Sequence, residues 1–80
     1  MRLDKYLKVS RLIKRRTIAN EACDAGRVSV NGKVARASYD VKIGDKIDIS
    51  FGSREVSLEV TAVTETVRKD DAPMLYRIIN

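Results

Sequence analysis

Gly26-Arg27-Val28-Ser29-Val30-Asn31-Gly32-Lys33-Val34-Ala35 is the stretch in which the chain changes period. Before it, apolar residues recur at spacings of three and four; after it, they alternate. Asn-Gly between alternating hydrophobics is the strongest short hairpin signal, because a two-residue type I′ turn needs positive φ at both central positions. Val28 and Val30 therefore lead into a turn at Asn31-Gly32, and Lys33-Val34-Ala35 returns antiparallel. Gly26 stands where a helix ends on a left-handed residue.

Working back from Gly26, Thr17 is the best N-cap for a helix running to about Ala25. Its apolar positions, Ile18, Ala19, Ala22 and Cys23, are mostly small and admit a close neighbour. An earlier helix spans Leu3 to about Ile13, with Leu3, Tyr6, Leu7 and Ile13 on its apolar side and Val9 and Leu12 at the flanks. Working forward, Gly44-Asp45 marks a turn, and Ile47, Ile49 and Phe51 point inward from a half-buried strand. Gly52-Ser53 turns the chain into a second strand with Val56, Leu58 and Val60 inward. The mixed polar stretch 64–72 receives no element, and residues 74–79 read as a closing strand. The fold class is α+β: two short N-terminal helices packed on a small, mostly antiparallel sheet. One domain is expected over residues 1–80, with its core at about 1–51 and a strand extension over 52–80. Met1 and the closing strand read as the two ends of a whole unit.

Charge is distributed unequally. The net value is +5, but residues 1–36 carry ten Lys/Arg against three acids, whereas residues 37–80 carry six against eight. Seven of the fifteen positions from 2 to 16 are basic. A one-sided positive field raises the encounter rate with a polyanion and supplies most of its non-specific affinity. With no histidine and a lone Cys23, there is neither an internal disulfide nor a plausible zinc set, and no cofactor is expected. Histidine, a glycine-rich phosphate loop and a nucleophile paired with a base are all missing, so no catalytic role is expected. No apolar run reaches the roughly 20 residues that span a bilayer, and the N-terminus has no secretory pattern. The expectation is a cytoplasmic protein without a membrane partner.

Four motifs occur in order: Arg-Leu-Asp-Lys-Tyr-Leu (2–7), Lys-Arg-Arg-Thr-Ile-Ala (14–19), Gly-Arg-Val-Ser-Val-Asn-Gly-Lys (26–33) and Val-Lys-Ile-Gly-Asp-Lys-Ile (41–47). Their order and spacing resemble the ribosomal-protein-S-four type of RNA-binding module, the alpha-L motif, over about residues 1–51. Residues 1–17 are similar to its short stand-alone members, the heat-shock-protein-fifteen group and its ribosome quality-control relatives. The resemblance implies a non-catalytic, RNA-binding factor, a monomer off the ribosome. Its implied partners are ribosomal RNA of the large subunit, peptidyl-tRNA on an obstructed large ribosomal subunit, and a quality-control protein that adds C-terminal alanine tails. Many members have Ser-Arg where this chain has Arg15-Arg16, which leaves the second helix without its serine cap.

The bases that would face RNA are Arg2, Lys5, Lys8, Arg11, Lys14, Arg15, Arg16, Arg27 and Lys33. Arg2 starts a helix, where the dipole disfavours a cation, so it is either a phosphate contact or a solvated end. Arg15 and Arg16 lie between the helices, where guanidinium groups and first-turn amides can share a phosphate. The other reading of Arg16 is an internal pair with Asp4 or Glu21. Lys5, Lys8, Arg11 and Lys14 recur every three residues, wrap the first helix as a slow spiral and contribute a field. Arg27 and Lys33 flank the hairpin and are placed to grip a nucleic-acid backbone. Tyr6 and Tyr39 are candidates to stack on bases, with Tyr6 reading rather as core, and Cys23 reads as a small buried hydrophobe. Recognition through phosphates and shape is therefore expected over base stacking. Two other functions fit parts of the pattern. One is the RNA-targeting module of a modifying enzyme such as a pseudouridine synthase. The other is a DNA-binding helix-turn-helix over residues 3–25, disfavoured because Asn20, Glu21 and Asp24 are poor readers of a groove.

Overall fold

A computed structural model describes residues 1–64, 70 and 74–79. Helix α1 spans Leu3–Val9 and α2 spans Arg16–Asp24. The strands are β1 (Val28–Val30), β2 (Lys33–Val34), β3 (Lys46–Phe51), β4 (Arg54–Val60) and β5 (Tyr76–Ile78). They form one sheet in the order β2-β1-β3-β4-β5, each neighbouring pair antiparallel.

Helix α1 is shorter than its apolar spacing suggests. Ser10 Oγ donates to the Leu7 carbonyl at 3.2 Å, and Arg11 turns left-handed at φ 62°. The Ile13 amide then returns to the same Leu7 carbonyl at 3.1 Å. Ile13 still enters the core, but from a loop, so Arg11 and Lys14 do not continue a helical spiral of bases. The start of α2 also differs from expectation. Arg15, extended at φ −116°, is the N-cap and lends no side-chain bond, and its carbonyl receives the Ala19 amide at 3.0 Å. Thr17 therefore lies inside the helix rather than at its cap.

The C-terminus of α2 is as its glycine predicts. Gly26 sits at φ 80°, its amide on the Cys23 carbonyl, while the Arg27 amide reaches back to the Ala22 carbonyl, both at 3.0 Å. This is the Schellman pair of bonds. At the hairpin, Asn31 and Gly32 take φ 53° and 85°, the type I′ signature.

Val28, Val30, Ile47, Ile49, Leu58 and Val60 line the inner face of the sheet. Leu3, Tyr6 and Leu7 of α1 and Ala19 and Cys23 of α2 complete the core, with Leu75 ahead of β5. Tyr6 is fully buried and donates to the Leu75 carbonyl at 2.7 Å, so it is core as expected. Burial pushes the Cys23 thiol up to about 11, with nearby Asp4 and Asp24 acting in the same direction, as befits an inert small hydrophobe. One inward assignment needs correction. Phe51 is 38% exposed because it ends β3 at the Gly52-Ser53 turn, where Arg54 lies over its ring at 5.7 Å. Val56 does face inward: half-buried, it packs against the core opposite Ile49. The closing strand exists but is shorter than 74–79, and most of 64–72 lies outside the described residues.

Candidate nucleic-acid interface

The basic residues are organised around a buried acid. Asp4, only 2% exposed, sits in the first turn of α1. Its Oδ1 receives the Lys5 amide at 2.8 Å and Arg2 Nε at 3.2 Å. Its Oδ2 receives Asn20 Nδ2 at 3.2 Å and lies 3.4 Å from Arg16 Nε. Burial raises the Asp4 pKa, but the hydrogen bonds from Asn20, the Lys5 amide, Arg16 and Arg2 outweigh it and hold the carboxyl below its usual range. One carboxylate thus joins both helices and aligns two guanidinium groups. Both arginine side chains stay about half exposed, 51% for Arg2 and 46% for Arg16.

Of the internal partners open to Arg16, the structure realises Asp4, while Glu21 lines the same shallow groove with Thr17 and Asn20. The pairing does not consume the arginines, since half of each side chain still faces solvent. Beside them, Lys5 is partly buried, and Lys8 and Arg15 are exposed. The start of α1 offers few amides to a ligand. Leu3 and Asp4 donate to the Tyr39 and Ala37 carbonyls, and the Lys5 amide is taken by Asp4. The first turn of α2 has no side-chain cap.

The remaining predicted bases form two further groups. Lys14 and Arg27 border a groove floored by Leu12, Ile18, Ala22 and Phe51, and Arg11 borders the neighbouring groove. Arg27 is held on both sides of its peptide, by the Schellman bond and by the Ser50 amide on its carbonyl at 2.9 Å. Lys33 lies at the hairpin with Arg36 and Tyr39. Among the described residues, no cluster of three His, Cys, Asp or Glu side chains is arranged to hold a metal ion, and no helix is long and apolar enough to cross a membrane.

Several residues of the site escape a reading by residue type. Asp45, 8% exposed, receives Tyr39 Oη at 3.0 Å, the Lys42 amide at 2.9 Å and Asn31 Nδ2 at 3.1 Å. Burial and this bond raise the Tyr39 phenol, whose hydroxyl is thereby committed to the scaffold. Asn31 also accepts the Lys46 amide through Oδ1 at 3.0 Å, so it ties the hairpin to β3. Arg36 and Arg54 join the basic surface although the sequence gives them no motif. The one available signal for Arg54 is its position across the Gly52-Ser53 turn from Phe51.

Comparison with known proteins gives the family and the fold. The sequence profile of the S4 domain matches residues 1–47. The chain is 59% identical to the RQC P-site tRNA stabilizing factor of Halalkalibacterium halodurans, over 98% of this chain and 89% of that one. It is 52% identical to the protein of the same name in Bacillus subtilis, over 99% and 92%. Among solved structures, Vibrio cholerae Heat Shock Protein 15, described as trimeric, superposes with a TM-score of 0.92 at 32% identity, over 99% of this chain and 81% of that one. With a matching sequence profile, whole-length relatives and a shared fold, the chain belongs to the S4 domain family.

Proposed function

We propose that this chain is a non-catalytic RNA-binding factor of ribosome-associated quality control. It binds ribosomal RNA and peptidyl-tRNA on obstructed large ribosomal subunits in the cytoplasm. There it supports C-terminal alanine tailing of stalled nascent chains by a partner protein, and off the ribosome it is a monomer. The observation that carries this reading is the pair Arg2 and Arg16, aligned by one buried carboxylate with half of each side chain still facing solvent. Guanidinium groups fixed in this way suit the bidentate grip of phosphates on a folded RNA. Arg15, the uncapped first turn of α2, Lys5 and Lys8 extend the same positive surface. The curated relatives carry tRNA stabilization in the P site in their names, and this chain spans 89% and 92% of their lengths. Those names favour a tRNA-stabilizing factor over the targeting module of a modifying enzyme.

Cosedimentation with purified large subunits across a salt series tests the reading. With about five phosphates neutralised, log K falls by several units per unit of log salt, roughly 0.9 for each phosphate of a duplex and less for single strands. Binding that ignores salt, or no binding at all, would count against it.

A further inference from the structure

Next to the aligned arginines, the chain carries a second feature that phosphate contact does not explain. Phe51 and Leu12 stand between two grooves and line both. The first groove, of about 320 Å³, has Ile18 and Ala22 on its floor and Lys14 and Arg27 at its border. The second, of about 440 Å³, is lined by Arg11, Arg54, Glu55 and Ile78. Both volumes fall at the lower end of the range, roughly 300–1,000 Å³, of small-molecule sites. Leaving Ile18 49%, Phe51 38% and Ile78 48% exposed on one side of a small domain costs hydration that burial would have relieved. Four cations against one carboxylate border this apolar surface. That combination rejects a purely apolar occupant and suits one with a flat apolar body and a negative tail.

We infer that the Phe51–Leu12 ridge is a platform for unpaired nucleotides, with a base laid against Phe51 while Lys14, Arg27 and Arg11 hold the flanking phosphates. Base–aromatic stacking tolerates any sequence, because every base has a π-face. Arg54, 5.7 Å from the ring centroid, adds a cation that can cover the base or yield to it. The platform is built in advance. Arg27 is fixed by the Schellman bond and the Ser50 amide, and Phe51 by its register opposite Arg54 in the β3–β4 hairpin. The inference rests on the RNA-binding reading above and adds to it a preference for bulged or looped RNA over continuous duplex.

The test uses the full chain and two RNA stem-loops of equal length, one fully paired in its stem and one with a 2-aminopurine bulge. The wild type binds the bulged RNA roughly tenfold more tightly and changes the probe's fluorescence, the size of one stacking contact. Phe51→Leu retains an apolar side chain and the fold; it loses the preference and the fluorescence change but still binds the paired RNA. Arg16→Ala weakens both RNAs alike. Equal binding of both RNAs by the wild type, or an undiminished preference in Phe51→Leu, overturns the platform and leaves the RNA-binding reading standing. No binding to either RNA overturns both. Phe51-dependent capture of an acidic peptide, without discrimination between the RNAs, overturns it by assigning the groove to a protein partner.

Discussion

Arg16 Nε lies 3.4 Å from Oδ2 of Asp4, a carboxylate that also receives Arg2 and Asn20 and is almost fully enclosed. An acid at the centre of a basic surface opposes a polyanion by its charge alone, and the geometry explains why it is there. An isolated arginine loses about 2 kcal/mol of rotamer freedom when it is fixed on a ligand. Asp4 meets part of that cost in advance for both guanidinium groups, and its own charge is neutralised by them.

Asp4→Asn separates alignment from field strength. The substitution raises the net charge by one, so a purely electrostatic binder would hold RNA more tightly. Alignment predicts the opposite: weaker binding, and a fold less stable by about 1.5–3 kcal/mol, the range for hydrogen bonds to a charged group. Fluorescence anisotropy with a ribosomal RNA fragment, alongside thermal melts, decides between them. Tighter binding by Asp4→Asn would mean that Arg2 and Arg16 act as free charges.

Acid should weaken the fold at this same place. Asp4 is held below its usual carboxylate range in the native chain. A depressed native pKa contributes stability that is fully present above the unfolded value, roughly 3.9, and is lost as pH falls through the native value. Melts of wild type and Asp4→Asn between pH 7 and pH 2 should therefore differ most above pH 4 and converge at the acid end. A constant difference across that range would show that Asp4 stabilises through shape rather than charge.

Gly32→Val and Asn31→Ala should lower stability more than RNA affinity measured below the melting point. Gly32 has open space around it, so the penalty of valine is the strained φ of 85° alone, about 1–3 kcal/mol. Asn31→Ala loses the bonds to Asp45 and to the Lys46 amide as well as the turn preference. Circular dichroism melts beside binding isotherms make the comparison. A stable Gly32→Val chain that no longer binds would place Gly32 in contact with RNA.

What could be read from the sequence follows what is local in space. The period change at Gly26, the type I′ turn and the helix stop depend on neighbouring residues, and the structure reproduces each of them. The ends of the helices do not depend on local spacing alone. Val9 is the last helical residue because Ser10 and Ile13 both return to Leu7, and no apolar periodicity reveals that. The candidate site can be read in the sequence as a set of bases but not as a grouping. Nine candidate positions divide among the Asp4 centre, the Phe51 ridge and the hairpin, a partition set by contacts between residues as distant as Asp4 and Asn20. Asp45 illustrates the same limit, since only the fold brings Tyr39 and Asn31 to it.

Arg16→Ala, and Arg2→Ala nearly as much, should abolish stable association with large ribosomal subunits without unfolding the chain. Each guanidinium lost removes hydrogen bonds to a charged group worth roughly 1.5–3 kcal/mol. That is about a ten- to hundredfold weakening, because about 1.4 kcal/mol is a factor of ten. The fold survives because Asp4 keeps Asn20, the Lys5 amide and the other arginine, which still neutralise it. Arg16→Lys recovers only part of the binding, since an ammonium restores the charge but not the planar fork that meets a phosphate at two points. Arg77→Ala is the control. Arg77 is 67% exposed, sits on edge strand β5 and pairs with Glu59 on β4. Its loss should change little, because an exposed pair contributes little. Sucrose-gradient profiles of each variant, read beside their circular dichroism, make the measurement. Wild-type comigration of Arg16→Ala with large subunits would remove the Asp4 centre from the RNA contact and leave the Phe51 ridge and the hairpin as the surfaces to test.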